Sequence, residues 1–116
     1  MATTPMLQQL QGYLKVTTDR QQLVAANMAN VDTPGYHTKE INFQVAMQNA
    51  MNEGKEPSVG ASSIDVSGLP ERPDGNNVNV DRESMVLAQT QLQYQMGVQL
   101  IKAEFHRLLT AIKEEN

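Results

Sequence analysis

The sequence predicts a mainly α protein. Long N- and C-terminal helices pair as a coiled coil, with a short middle helix and an extended irregular or β-hairpin connector between them. Two observations carry this. Apolar residues near both ends of the 116-residue chain recur at alternating steps of three and four. Between them, residues 54–79 hold three of the five prolines and most of the glycines. The length fits one domain, 1–116.

Thr4 and Pro5 suit a helix start, Thr as cap and Pro in the first turn. Leu7, Leu10, Leu14, Thr17, Gln21, Val24, Met28 and Val31 then follow without a slip, which predicts a helix over 5–31 with two polar interruptions. "ANVDTPGY" ends it. Asn30 is expected to close the helix in a left-handed conformation, and Asp32 to bond the backbone two residues on. Thr33 is pushed extended by Pro34, and Pro34-Gly35 suits the centre of a type II turn. Together these residues set the direction in which the chain leaves the helix.

A short helix follows, with Phe43, Ala46, Met47, Ala50 and Met51 on one face, Asn42 as cap and Gly54 as stop. In the connector, Ile64 and Val66, and later Val78 and Val80, alternate with polar residues, which predicts two short strands; Pro73 to Asn76 is a turn. The last helix is expected over 81–114, capped by Asp81 with Glu83 in its first turn. Its series is Leu87, Gln91, Tyr94, Val98, Ile101, Phe105, Leu108, Ile112; Met85, Ala88, Leu92, Met96 and Leu100 form a second stripe.

The formal charge of −4 argues against nucleic acid or an anionic membrane as the main partner. No cysteine is present, so disulfides and thiolate metal sites are excluded. No cleaved signal and no membrane span are expected. His37 and His106 lack metal-spaced partners, and "DGNNVNVDRE" misplaces the glycine and oxygen ligands of a calcium loop. No nucleophile, phosphate loop or carboxylate pair is recognisable, so neither enzyme activity nor a cofactor is expected.

Met85 to Ile101 carries no charge, and five glutamines supply most of its polarity. Solvent-facing helices carry Lys, Glu or Arg, whereas interface centres are depleted of charge. Between Leu7 and Val31 only Lys15, Asp19 and Arg20 are charged. A subunit buried by further chains is therefore expected. The residues read as helix-pairing and subunit-interface positions are Leu7, Leu10, Leu14, Val24, Met28, Leu87, Leu92, Tyr94, Val98, Ile101, Phe105, Leu108 and Ile112.

"NMANVDTPGY", Asn27 to Tyr36, at the end of an N-terminal heptad helix, resembles the motif of the bacterial flagellar axial proteins: rod, hook and hook-associated proteins. The motif positions are Asn27, Ala29, Asn30, Val31, Asp32, Thr33, Pro34, Gly35 and Tyr36. The closing heptad helix, the short chain, Asp32 and "DGNNVNVDRE" resemble a proximal rod protein; Asn79 departs from the acid that relatives often carry. The resemblance implies a structural subunit of the basal-body rod that self-assembles through its terminal helices, transmits torque and lines the export channel. Its implied partners are copies of itself, other rod proteins, the rod base at the membrane ring with its adaptor, and the flagellar type III export apparatus. It implies residence in the periplasmic space after export without a cleaved signal peptide. Another proximal rod protein, or a free-standing coiled-coil adaptor or export chaperone, is the alternative.

Overall fold

The computed structural model describes residues 4–51 and 63–114 of an elongated molecule, 69 × 28 × 20 Å. Helix α1 spans Pro5–Ala29, strand β1 Lys39–Ile41, helix α2 Phe43–Met51, strand β2 Ser63–Asp65 and helix α3 Val80–Glu114. At about 1.5 Å per residue, α3 is about 52 Å long.

Local chemistry sets the helix starts. The Thr4 hydroxyl accepts from the Leu7 N–H (3.1 Å), and Pro5 occupies the first position, where no N–H is needed. Asn42 Oδ1 accepts from the Val45 N–H at the start of α2. Gly54, expected to end α2, lies outside the described residues. For α3 the cap is Asn79 and not Asp81: its Oδ1 accepts from the Arg82 N–H (3.1 Å). Asp81 falls two residues later, in the first turn with Glu83, where the helix dipole favours acids.

The motif after α1 differs from expectation in two places. The helix stops at Ala29, so Val31 lies in the turn; Asn30 closes it at φ −102° while its Nδ2 donates to the Ala26 carbonyl. No left-handed residue other than glycine occurs among the described residues. Asp32 is exposed and has no backbone bond two residues on, because that residue is Pro34, which lacks an N–H. The type II turn is present: the Tyr36 N–H donates to the Thr33 carbonyl (3.1 Å), and Gly35 sits at φ +76°.

β1 and β2 pair antiparallel, Lys39 opposite Asp65 and Ile41 opposite Ser63. Residues 78–80 are therefore not the second strand. Val78 is buried beside two asparagines anchored to the α1 turn, and Val80 already belongs to α3.

α1 lies between two neighbours. On one side Val16 and Leu23 pack with Ile41 and Ala46, backed by Phe43, Met47 and Ala50. Gly12 faces α2: a Cβ there would make ordinary contact with Ala50 and Met51 at 3.5 Å. On the other side α1 and α3 run antiparallel, Asn27 beside Glu83 and Leu14 beside Gly97. The buried residues of α3 are Glu83, Val86, Thr90 and Gly97. That line is out of phase with the expected Leu87–Ile112 series. Close approach decides it. A Cβ on Gly97 would lie 2.7 Å from Leu14 Cδ2, so the smallest residue of the helix must face α1. Of the two polar interruptions in α1, Thr17 is satisfied within its own helix by donating to the Tyr13 carbonyl (2.7 Å); on α3 the buried Thr90 likewise donates to that of Val86 (2.6 Å).

Candidate functional site

The end of α1, β1 and the start of α3 are joined by polar side chains. Asn27 is fully buried on α1. An amide offers two N–H donors and two acceptor lone pairs, and all four are used. Nδ2 donates to the Lys39 carbonyl and to Glu83 Oε1, both at 2.8 Å. Oδ1 accepts from the Lys39 N–H and the Tyr36 hydroxyl, both at 3.0 Å. Burial pushes the Tyr36 hydroxyl above its ordinary range. Glu83 is also fully buried; Oε2 accepts from Thr38 Oγ1 (2.8 Å) and Arg82 Nη1 (2.9 Å). A buried carboxylate with no partner would cost several kcal/mol. Here both oxygens are occupied and a guanidinium supplies the counter-charge.

A second layer ties the motif turn to residues 72–78. The Gly35 N–H donates to the Asp74 carbonyl (2.8 Å), and the Asn77 N–H to that of Tyr36 (3.2 Å). Asn76 Nδ2 bridges the carbonyls of Asn30 (2.9 Å) and Thr33 (2.8 Å), while its Oδ1 accepts from the Val78 N–H. Asn77 Oδ1 accepts from the Thr38 N–H (2.6 Å). The Arg72 guanidinium reaches the carbonyls of Val31 and Val78. A Cβ on Gly75 would stand 3.4 Å from Gly35 Cα, so the two loops touch backbone to backbone. Among the described residues no buried side-chain N or O lacks a partner. Satisfied networks of this kind define one arrangement because each bond has a direction.

No family model matches the chain. Among curated proteins it is similar to the flagellar basal body rod protein FlgB of Salmonella typhimurium, 32% identical over 123 residues that cover 89% of each chain. The chain belongs to the FlgB family of flagellar basal body rod proteins. It is 29% identical to FlgB of Escherichia coli over 89% of each chain. With FlgB of Bacillus subtilis it shares 28% over 91% of this chain and 92% of that one. The Salmonella match runs over 123 residues while taking in 89% of a 116-residue chain, so that FlgB protein carries extra residues inside the matched span.

In this FlgB-family chain the motif residues divide sharply. Asn27 is a buried hub, Gly35 and Tyr36 meet residues 74–77, and Ala29, Asp32, Thr33 and Pro34 are exposed. Of the positions read as pairing or interface residues, Leu7, Leu10 and Val24 are buried, while Leu14, Met28, Leu87, Val98, Ile101 and Leu108 are half-buried. Leu92, Tyr94, Phe105 and Ile112 are exposed. Leu92 (60% exposed), Met96 (55%) and Leu100 (51%) make a continuous bare stripe on α3, flanked by Gln95 and Gln99. The stripe runs into a shallow groove formed by Met6, Leu10, Tyr13 and Met47. Sequence reasoning did not find Thr38, Asn76, Asn77 and Glu83 as parts of the site. The one signal for them is the second asparagine of "DGNN", since a turn needs only one.

Proposed function

We propose that this chain is a structural subunit of the proximal rod of the flagellar basal body. The whole of 1–116 acts as one rod-type unit that assembles with copies of itself and with other rod proteins through its terminal helices. It joins the rod to its base at the membrane ring and that ring's adaptor, transmits torque to the hook and contributes to the wall of the export channel. It reaches the periplasmic space through the flagellar type III export apparatus.

Membership of the FlgB family supports the class. The observation that carries the assembly mode is the bare stripe Leu92–Met96–Leu100, set in a stretch of α3 without charge. α1 and α3 together leave it uncovered, and exposed apolar patches on helices of this length mark contact surfaces. The satisfied polar network at the other end supports a fixed angle between the terminal helices and the loops, as a torque-bearing part requires.

The test is the double substitution Gln95→Glu with Gln99→Glu. Both side chains are exposed beside the stripe, so the subunit itself should fold normally. An unpaired charge buried in an interface costs about 3–5 kcal/mol, enough to prevent stacking. Cells with this variant should export the subunit yet complete no rod and not swim. Normal motility would show that this face stays open to water.

A further inference from the structure

Asp74-Gly75 is the one Asp-Gly or Asn-Gly step in the sequence. Such a step is chemically labile. The amide nitrogen of the following residue attacks the side-chain carboxyl carbon, a water leaves, and a five-membered succinimide forms. Water then adds back at one of the two ring carbonyls. Addition at the former main-chain carbonyl gives isoaspartate, with the main chain rerouted through the β-carboxyl. Atoms balance without any co-reactant: one water is lost, one is regained, and the mass is unchanged. Glycine at the second position favours the attack because it has no side chain to block the nitrogen.

Three hydrogen bonds engage the groups that would have to move for this step to occur. Asp74 Oδ1 accepts from the Asn76 N–H (3.0 Å), which ties the carboxyl to the residue beyond Gly75. The Gly75 N–H donates to the Arg72 carbonyl (2.8 Å), which occupies the attacking nitrogen. The Asp74 carbonyl accepts from the Gly35 N–H (2.8 Å), which stops the peptide from rotating. The holder is itself held, since Asn76 is fully buried and donates to two carbonyls of the α1 turn. Gly75 has a φ of +85°, and a Cβ built on it would stand 3.4 Å from Gly35 Cα, so the step is packed closely against the α1 turn.

We propose that Asp74 is a site of spontaneous isoaspartate formation, and that closure of the polar network between residues 27–38 and 72–83 switches the reaction off. The folded chain is protected; the open chain reacts. The product adds one backbone atom between Asp74 and Gly75. That displaces the carbonyl that Gly35 binds and separates the two glycines, so a chain modified while open could not close the network again. The site would act as a clock on the time spent open.

The test uses the purified full chain across a urea titration. Isoaspartate is measured in the fragment containing residue 74, by enzymatic methylation of isoaspartyl carboxyls and by peptide fragmentation. Amide hydrogen exchange is followed in the same fragment. The rate should be low in buffer and rise with urea at the same midpoint as exchange, to a plateau at least about tenfold higher, as expected for a reaction that requires local opening. Asn76→Ala should raise the rate in buffer and leave the high-urea plateau unchanged. A rate flat across the titration would overturn the proposal: flat and high means that the fold does not gate the step, flat and low that the step is not reactive. If the variant does not fold, the titration of the unsubstituted chain decides alone.

Discussion

Gly35 concentrates the demands of the motif. It needs φ +76°, its N–H is committed to the Asp74 carbonyl, and its Cα is the surface on which Gly75 rests. A side chain at 35 would meet nothing within 4 Å, so space is not what excludes one. The backbone angle is. A left-handed residue costs roughly 1–2 kcal/mol, more for a β-branched side chain and less for Asn, whose short polar group tolerates that region. Gly35→Val should therefore lower the urea midpoint of the purified protein clearly more than Gly35→Asn. Equal losses would refute the backbone-angle account and leave close approach of another chain as the reason for glycine. The turn was legible in the sequence because Pro-Gly carries its own geometry. The role of Asn27 was not, because a hydrogen bond to a glutamate 56 positions away leaves no local mark.

Among the elements, β1 is braced to both long helices by one guanidinium. Arg20, on α1, donates twice to Glu40 of β1 (3.0 and 2.9 Å) and once to Gln93 Oε1 of α3 (3.1 Å). Burial pushes the Glu40 carboxyl up, but the hydrogen bond from Arg20, the Ile41 N–H and the charges of Arg20 and Arg82 outweigh it and hold the carboxyl below the usual range. A group whose folded pKa is depressed stabilises the fold above its unfolded value, about 4.3 for Glu, and loses that contribution as pH falls through the folded value. Stability to urea should thus decline on acidification below about pH 4.3, and Glu40→Gln should flatten that part of the profile. Identical slopes for the two proteins would show that the brace does not couple to folding. The existence and order of the helices were readable because each carries its period over many turns. The facing side of α3 was not. Large apolar residues mark a seam in sequence, whereas here the contact is set by Gly97 and Thr90, whose value lies in being small.

At the scale of the molecule, order is unevenly distributed. All buried residues of α3 lie between Glu83 and Gly97, and from Val98 to Glu114 none is buried. Local opening is easiest where little apolar surface is covered. In a verified monomer, amide exchange should be slow from Glu83 to Gly97 and progressively faster towards Glu114. Uniform protection along α3 would mean that the free chain already buries its bare stripe.

The β1–β2 pair has a consequence for how such a chain changes over evolutionary time. β1 stands just before α2, and β2 is bound to β1, so the stretch between Met51 and Ser63 departs from one fixed element and returns to another. Both anchors are held by contacts outside that stretch, and each doubling of a closed loop's length costs only about 0.6 kcal/mol. A Gly/Ser insert that doubles the stretch should lower the unfolding free energy from a urea titration by about 0.6 kcal/mol, and a loss several times larger would reveal packing within the stretch. With α2 held by α1 and β2 held by β1, residues added between Met51 and Ser63 would leave the two-helix chassis in place.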